Sequence, residues 1–308
     1  MNPEVSVIIP FYMGREWLPL ALASVLRQEG VALEIIVVDD GSEGSPDDIL
    51  DGFADPRIRL LRIPHCGKGA AVNAGAQIVR GSLLCILDQD DEMLPGRLLA
   101  QAAALRENPD TEAVYSDYER RDEHGELIDV FRSRQASREE MLHCLATGEG
   151  LFSIQTLLMW KRTFDGVGGL CPDDRITGFD DADLFVRMLA AGSRLRYVPG
   201  VFARWVSHAS NYSKGARFHE ARLSWIDRLT SLATEHEILK KELPFFKSHN
   251  YTMRGIFFLN QGNPYDAVPE FARAIQADWC NLNTYYLFGK SVAWGILSSF
   301  PRHKSVRK

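Results

Sequence analysis

Three carboxylates fall within four residues at Asp88-Gln89-Asp90-Asp91, directly after the apolar run 83–87. Acids packed that closely at the end of a core strand repel one another, and a hard divalent cation with oxygen ligands offsets the repulsion most simply. The plainer reading is a solvated acidic turn, or a helix N-cap at Asp91 ahead of 93–95. A second pair, Asp39-Asp40, closes the apolar run 33–38, and Asp117 closes 113–118. A third group, Asp180, Asp181 and Asp183, opens a stretch in which Leu184, Phe185, Met188 and Leu189 recur at helical spacing. One acid suffices to complement a helix N-terminus, and three are present. His208 lies in a polar loop with Asn211 and Ser213, where a histidine is ordinarily solvated.

The elements that must position these residues alternate. Runs 5–10, 33–38 and 83–87 are β-branched or apolar and predict buried strands, and 58–63 predicts an alternating one. Between them, 16–26, 48–53 and 67–79 carry helical spacing or a small-residue loop leading into a helix. Strand–helix alternation implies an α/β fold with a mostly parallel sheet flanked by helices. Such sheets bind ligands beyond the carboxyl ends of their strands, where the acids of 39–40 and 88–91 stand. That placement favours a ligand site over a solvated turn. Further on, 97–107 predicts a helix, 119–135 an exposed hairpin turning at 122–125, and 155–160 a strand. Short strands are predicted over 195–199 and 202–206.

From about Phe218 only helical patterns follow, so 1–215 and an all-α extension, 216–308, are the expected domains, with Pro244 breaking one of the later helices. Gly262, Ala267 and Ala274 recur as in one tetratricopeptide unit, which stacked neighbours must complete. A helical hairpin packed on the first domain, or on a second copy as a homodimer, follows from that. The chain closes on an apolar stretch, 294–300, and a basic tail, Arg302, His303, Lys304, Arg307 and Lys308. Such a tail can hold a protein at an anionic membrane surface; a solvated tail behind a core helix is the plainer reading.

Composition narrows the classes. A formal net charge of −6 and a pI near 5.8 argue against a nucleic-acid binder working by phosphate attraction. Five cysteines, widely spaced and without a Cys-x-x-Cys pair, argue against a disulfide framework or a thiolate zinc site and fit a reducing cytoplasm. No basic leader precedes the first strand, so no signal peptide is expected. Nothing approaches the ~20 apolar residues of a spanning helix.

Taken in order, four stretches resemble glycosyltransferase family 2, inverting enzymes of GT-A fold. Residues 5–12 resemble its first strand, 37–42 its nucleotide-base motif, 87–91 its DxD metal motif and 178–184 its acidic catalytic helix. The resemblance covers roughly Val5 to Ser213. It implies that Pro10 and Tyr12 line the base pocket and that Asp40 accepts a hydrogen bond from the base. It places Lys68 near the base or phosphates, Asp88 at the ribose or metal, and Asp90 on Mg2+ or Mn2+. Asp181 is then the general base and His208 a further metal or diphosphate contact. Asp180 falls at the acceptor position of that helix, while Asp117 and Trp205 are candidate sugar or acceptor contacts with equally good structural roles. The partners implied are a nucleotide sugar, with UDP the commonest nucleotide, and a saccharide or glycolipid acceptor in cell-surface polysaccharide or lipopolysaccharide assembly.

The chemistry is consistent. Displacing a nucleoside diphosphate needs stabilisation of the leaving group, and the attacking hydroxyl must lose its proton to a carboxylate on the opposite face. Base and metal ligands should therefore come from separate segments, as Asp181 and Asp90 do. A sugar nucleotidyltransferase would need a Gly-rich loop after the first strand, which 10–14 is not. A noncatalytic module that only binds a nucleotide sugar would not need all of these acids.

Overall fold

The computed structural model describes residues 3–299. It contains two compact units, Met1–Leu142 with Gly150–Lys214, and His143–Glu149 with Gly215–Lys308. Residues 143–149, expected to lie with the first domain, group with the helices instead.

In chain order the first unit runs β1 (Val5–Phe11), α1 (Leu18–Leu26), β2 (Leu33–Asp40), α2 (Asp47–Phe53), β3 (Ile58–Ile63), α3 (Lys68–Ile78), β4 (Leu83–Ile86), β5 (Glu92–Met93) and α4 (Arg97–Glu107). It continues with β6 (Ala113–Asp122), β7 (Leu127–Phe131), α5 (Arg138–Thr147, which reaches into the second unit), β8 (Leu158–Trp160), α6 (Lys161–Gly166), α7 (Asp180–Ala190) and β9 (Leu195–Ser207). The strands form one sheet in the order β3-β2-β1-β4-β8-β6-β9-β5, with β7 paired to β6. It is parallel across β3-β2-β1-β4 and mixed beyond. In β1, Val5, Val7, Ile8, Ile9 and Phe11 are all buried, as is the whole of β2. Strands apolar on both faces need cover on both faces, hence the flanking helices. Close cover depends on Gly75 in α3, where a Cβ would stand 2.9 Å from Val38 Cγ2 and 3.1 Å from Ile8 Cγ2.

Three local expectations change. Within 155–160 only Leu158–Trp160 pair in the sheet; Ile154–Thr156 form a 3₁₀ turn. There the Thr156 hydroxyl donates to the Ser153 carbonyl at 2.7 Å, a local bond that competes with the sheet ladder. The two short strands of 195–206 are one, β9, which passes Pro199 by a bulge. Its register against β6 moves from Tyr115 opposite Tyr197 to Asp117 opposite Val201. A bulge is where a strand tolerates a proline that cannot donate. Pro244 does not break its helix, for α9 runs through it.

The second unit is helical: α8 (Ala216–Glu235), α9 (Glu237–Asn260), α10 (Pro264–Ala277) and α11 (Leu282–Ser299). Gly262 turns the chain at φ +76°, Asn263 caps α10 on the Asp266 amide, and Pro264 fills the first helical position. Leu259, Ala267 and Phe271 make the core of this hairpin, with Leu287 and Phe288 of α11 against it. Among the described residues, no helix is long and apolar enough to cross a membrane. The basic tail lies outside the described residues.

Candidate active site

The site forms where the parallel strands end. Asp40, the last residue of β2, is buried, and its two oxygens accept the Cys66 and Gly67 amides at 2.8 and 2.9 Å. Those bonds fix the loop that leads into α3. His65 Nδ1 lies 2.9 Å from Asp40 Oδ2, and its ring stacks on Tyr12 at 4.2 Å. Tyr12, half exposed just past β1, is held by a reciprocal pair: its amide donates to Gln89 Oε1 at 3.0 Å and its carbonyl accepts Gln89 Nε2 at 3.1 Å. The Tyr12–His65 pair is a flat aromatic shelf beside the strand ends, and Pro10 is half-buried in β1.

Lys68, at the start of α3, joins the acidic segments. Its Nζ is 2.7 and 2.9 Å from the two oxygens of Asp88 and 3.9 Å from Asp180 Oδ2. Burial works against its ammonium, and Asp88, Asp180 and Asp181 together overcome it and raise its pKa. Asp180 is buried; Oδ1 accepts the Gly178 amide at 3.1 Å, while Oδ2 has no hydrogen-bond donor among the described residues. Asp181, mostly buried, accepts the Ala182 amide on Oδ1 at 2.7 Å. Burial, then repulsion from Asp180, pushes its carboxyl up to about 6 against the pull of Lys68. A carboxylate poised near neutrality beside a cleft is suited to taking a proton. The cleft is walled by Lys68, Gly69, Cys171, Pro172, Thr177 and Asp180. Gly69 permits this wall, because a Cβ there would overlap the Cys171 carbonyl.

Asp183, the third acid of α7, is buried and turned away from the cleft. It pairs with Arg187 at 2.6 Å, and Arg187 also donates to the carbonyls of Val167 and Gly169. This brace fixes the helix that presents Asp180 and Asp181.

Asp90 and His208 meet across the sheet edge, with Nε2 2.9 Å from Oδ2. Nε2 also lies 2.9 Å from the Asn211 side-chain amide nitrogen, and Nδ1 lies 2.8 Å from the Ser210 hydroxyl. The imidazole is buried and stacks on Trp17 at 4.6 Å, while Asn211 Oδ1 holds the His208 amide at 2.7 Å. Burial, then repulsion from Asp88, raises the Asp90 carboxyl, with His208 acting the other way. Asp91 corrects an expectation: it does not cap α4, which starts at Arg97 behind Gly96. Its buried carboxylate accepts the Val206 amide at 3.1 Å and ties β9 to this loop.

Two candidates stand apart from the rest. The buried Asp117 carboxylate accepts the Ser133 amide at 2.8 Å, Arg132 at 3.0 Å and the Tyr197 hydroxyl at 2.8 Å. Those donors give it a holding role between β6, β9 and the segment after β7. Trp205 lies under the Arg120 guanidinium, 5.8 Å from its ring centroid. Gln89, His65 and Trp17 were not singled out from sequence. Gln89 stood inside the acidic motif and carried a usable signal; His65 and Trp17 carried none, because stacking partners are chosen by the fold.

For a divalent cation, Asp88 and Asp90 have the right chemistry: hard oxygen ligands, close enough for Asp88 to raise its neighbour. Among the described residues no three His, Cys, Asp or Glu side chains converge on a metal position. His208 faces Asp90 and Asp88 faces Lys68. The two carboxylates suit a cation by the chemistry of their oxygens, and the imidazole, on Asp90, suits the role of orienting it.

Residues 6–155 match the family model of glycosyl transferase family 2. An uncharacterized glycosyltransferase of Rickettsia felis is 26% identical over 281 residues, spanning 89% of this chain and 45% of that protein. The succinoglycan biosynthesis protein ExoO of Rhizobium meliloti is 37% identical over 97 residues, 31% of this chain and 28% of its own length. The chain thus spans less than half the length of these relatives. Among solved structures, S. aureus TarS 1–349 in complex with UDP-GlcNAc superposes with a TM-score of 0.64 at 14% identity, covering 95% of this chain and 88% of that one. That likeness shows the fold, GT-A.

Proposed function

We propose that the chain, whose residues 6–155 match the family model of glycosyl transferase family 2, moves a sugar from a UDP-sugar to a hydroxyl of a saccharide or glycolipid, with inversion, in cell-surface polysaccharide assembly. The observation that carries this reading is Lys68, which gathers Asp88 from the loop after β4 and Asp180 from α7 around one ammonium. A donor-side acid and the acidic helix thereby face one cleft from separate segments, as in-line displacement requires. UDP is favoured because a structure of the same fold holds UDP-GlcNAc.

Each candidate takes a role its contacts support. Tyr12 on His65 offers a stacking face for the base, and Pro10 lines the same pocket. Asp40, with its oxygens on two amides, keeps acceptor capacity for a base N–H, since a carboxylate has about four lone-pair sites. Lys68 and Asp88 approach the ribose and phosphates. Asp180, whose buried Oδ2 faces Lys68 at 3.9 Å without a hydrogen-bond donor, receives an acceptor hydroxyl beside Asp181, which takes the proton as that hydroxyl oxygen attacks the anomeric carbon. Asp90 and Asp88 would hold Mg2+ or Mn2+, which would supply charge neutralisation for a leaving diphosphate.

A transfer and hydrolysis assay with UDP-sugars tests this reading. Turnover supports it, and nucleotide binding without turnover would make the chain a noncatalytic module. The cation assignment has its own check in UDP-dependent thermal stabilisation. At a hundredfold excess over Kd, binding should add about 2.7 kcal/mol to the wild type with Mn2+. In Asp90→Ala the Mn2+-dependent part should vanish. An unchanged shift after chelation would remove the cation from the scheme.

A further inference from the structure

Gln89 is the uncharged member of the segment 88–91, and its contacts differ in kind from those of its neighbours. Asp88 faces Lys68 and Asp90 faces His208, whereas the Gln89 carboxamide closes on backbone, bonding both the amide and the carbonyl of Tyr12. That is the bonding an adjacent strand would supply. β1 and β4 pair over Val5–Ile8, the Leu87 amide reaches the Ile8 carbonyl at 3.0 Å, and Pro10 has no N–H to carry the ladder on. Gln89 resumes it two residues later with a side chain.

The backbone so held is one that would not hold itself. Met13 follows Tyr12 at φ +58°, in the left-handed region that residues with a side chain rarely adopt. Such a backbone persists where its surroundings over-determine it. Gln89 grips the residue before, and the Ser42 hydroxyl accepts the Met13 amide at 3.1 Å. Gly14 leaves room for the carboxamide: a Cβ there would stand 2.2 Å from Gln89 Nε2, and no positive φ accounts for this glycine. We propose that Gln89 is a positioning residue for nucleotide recognition: from inside the acidic motif it fixes the Tyr12 ring where a base can stack, without itself touching the nucleotide. This role rests on the reading of Tyr12 and His65 as the base shelf. Glutamine suits it because a carboxamide both donates and accepts, and because a fourth carboxylate would add to the repulsion within 88–91.

The test is calorimetric titration of the full chain with uridine and with UDP. Gln89→Ala should weaken both by about tenfold, the scale of two net hydrogen bonds. The factor should be the same for each, since the diphosphate half of the site is untouched. KM for a UDP-sugar should rise with it while kcat stays within about twofold, the mark of binding lost equally from ground and transition states. Gly14→Ala, whose methyl displaces the flexible tip of Gln89, should have the same effect, and the double variant should be no weaker than either single one. UDP weakened with uridine unchanged would put Gln89 on the diphosphate or sugar, and additive losses would separate Gly14 from Gln89; either result overturns the proposal. A lowered thermal midpoint with kcat reduced as well would make the clamp a folding contact, which also overturns it. Wild-type uridine binding that neither variant changes removes the role of Gln89 alone. A wild type that binds neither uridine nor UDP removes the base shelf, and the proposed function with it.

Discussion

Asp181→Asn is expected to lower the transfer rate by about 10²–10⁴-fold, the usual contribution of a positioned base. UDP binding should stay within about twofold of wild type, since the substitution removes a proton acceptor and leaves the Asp88–Lys68 pair in place. Single-turnover transfer beside UDP titration separates the two effects. The wild-type rate should also rise with pH through about 6, because below that value the Asp181 carboxyl, raised by burial and by Asp180, holds a proton and cannot accept another. This limb should be absent from the residual activity of Asp181→Asn. Wild-type turnover in that variant, or a flat profile across pH 5 to 7 in the wild type, would assign the base elsewhere.

Asp183→Ala is expected to destabilise the first unit by about 3–5 kcal/mol, the scale for removing one partner of a buried ion pair. Asp183 is fully buried and Arg187 nearly so, and the substitution strands the guanidinium between the Val167 and Gly169 carbonyls. Urea unfolding of the full chain reads the change as a lower midpoint at constant slope. Asp183→Asn should lose less, since the amide still accepts a hydrogen bond from Arg187. A loss under about 1 kcal/mol for Asp183→Ala would mean that α7 is held by its apolar face alone. The contrast matters for function: neighbouring acids of one helix turn are set apart, Asp181 for rate and Asp183 for stability.

That division marks how far the sequence could be read. β1, β2 and β4 were legible because strands buried on both faces are written as largely apolar runs with clear ends, and β3, half-buried at the sheet edge, was legible from its alternation. The acids beyond them were legible as a site for the same reason, three carboxylates having no place in a core. β9 was not legible as one strand, since Pro199 and Gly200 read as a stop and only pairing with β6 shows that they sit in a bulge. Nor was the 3₁₀ turn at Ile154–Thr156, where a hydroxyl–carbonyl bond between Ser153 and Thr156 overrides strand propensity.

By itself the sequence determined the α/β class, the acidic strand ends and the segments that face the cleft, because periodicity and local composition encode burial directly. Only the tertiary structure decided which acid does what. Asp88 turned to Lys68, Asp90 to His208, Asp91 to the Val206 amide, Asp117 to Tyr197 and Asp183 to Arg187. A carboxylate's role follows from the donors around it, and, apart from the pair within α7, these donors come from residues 15 or more positions away.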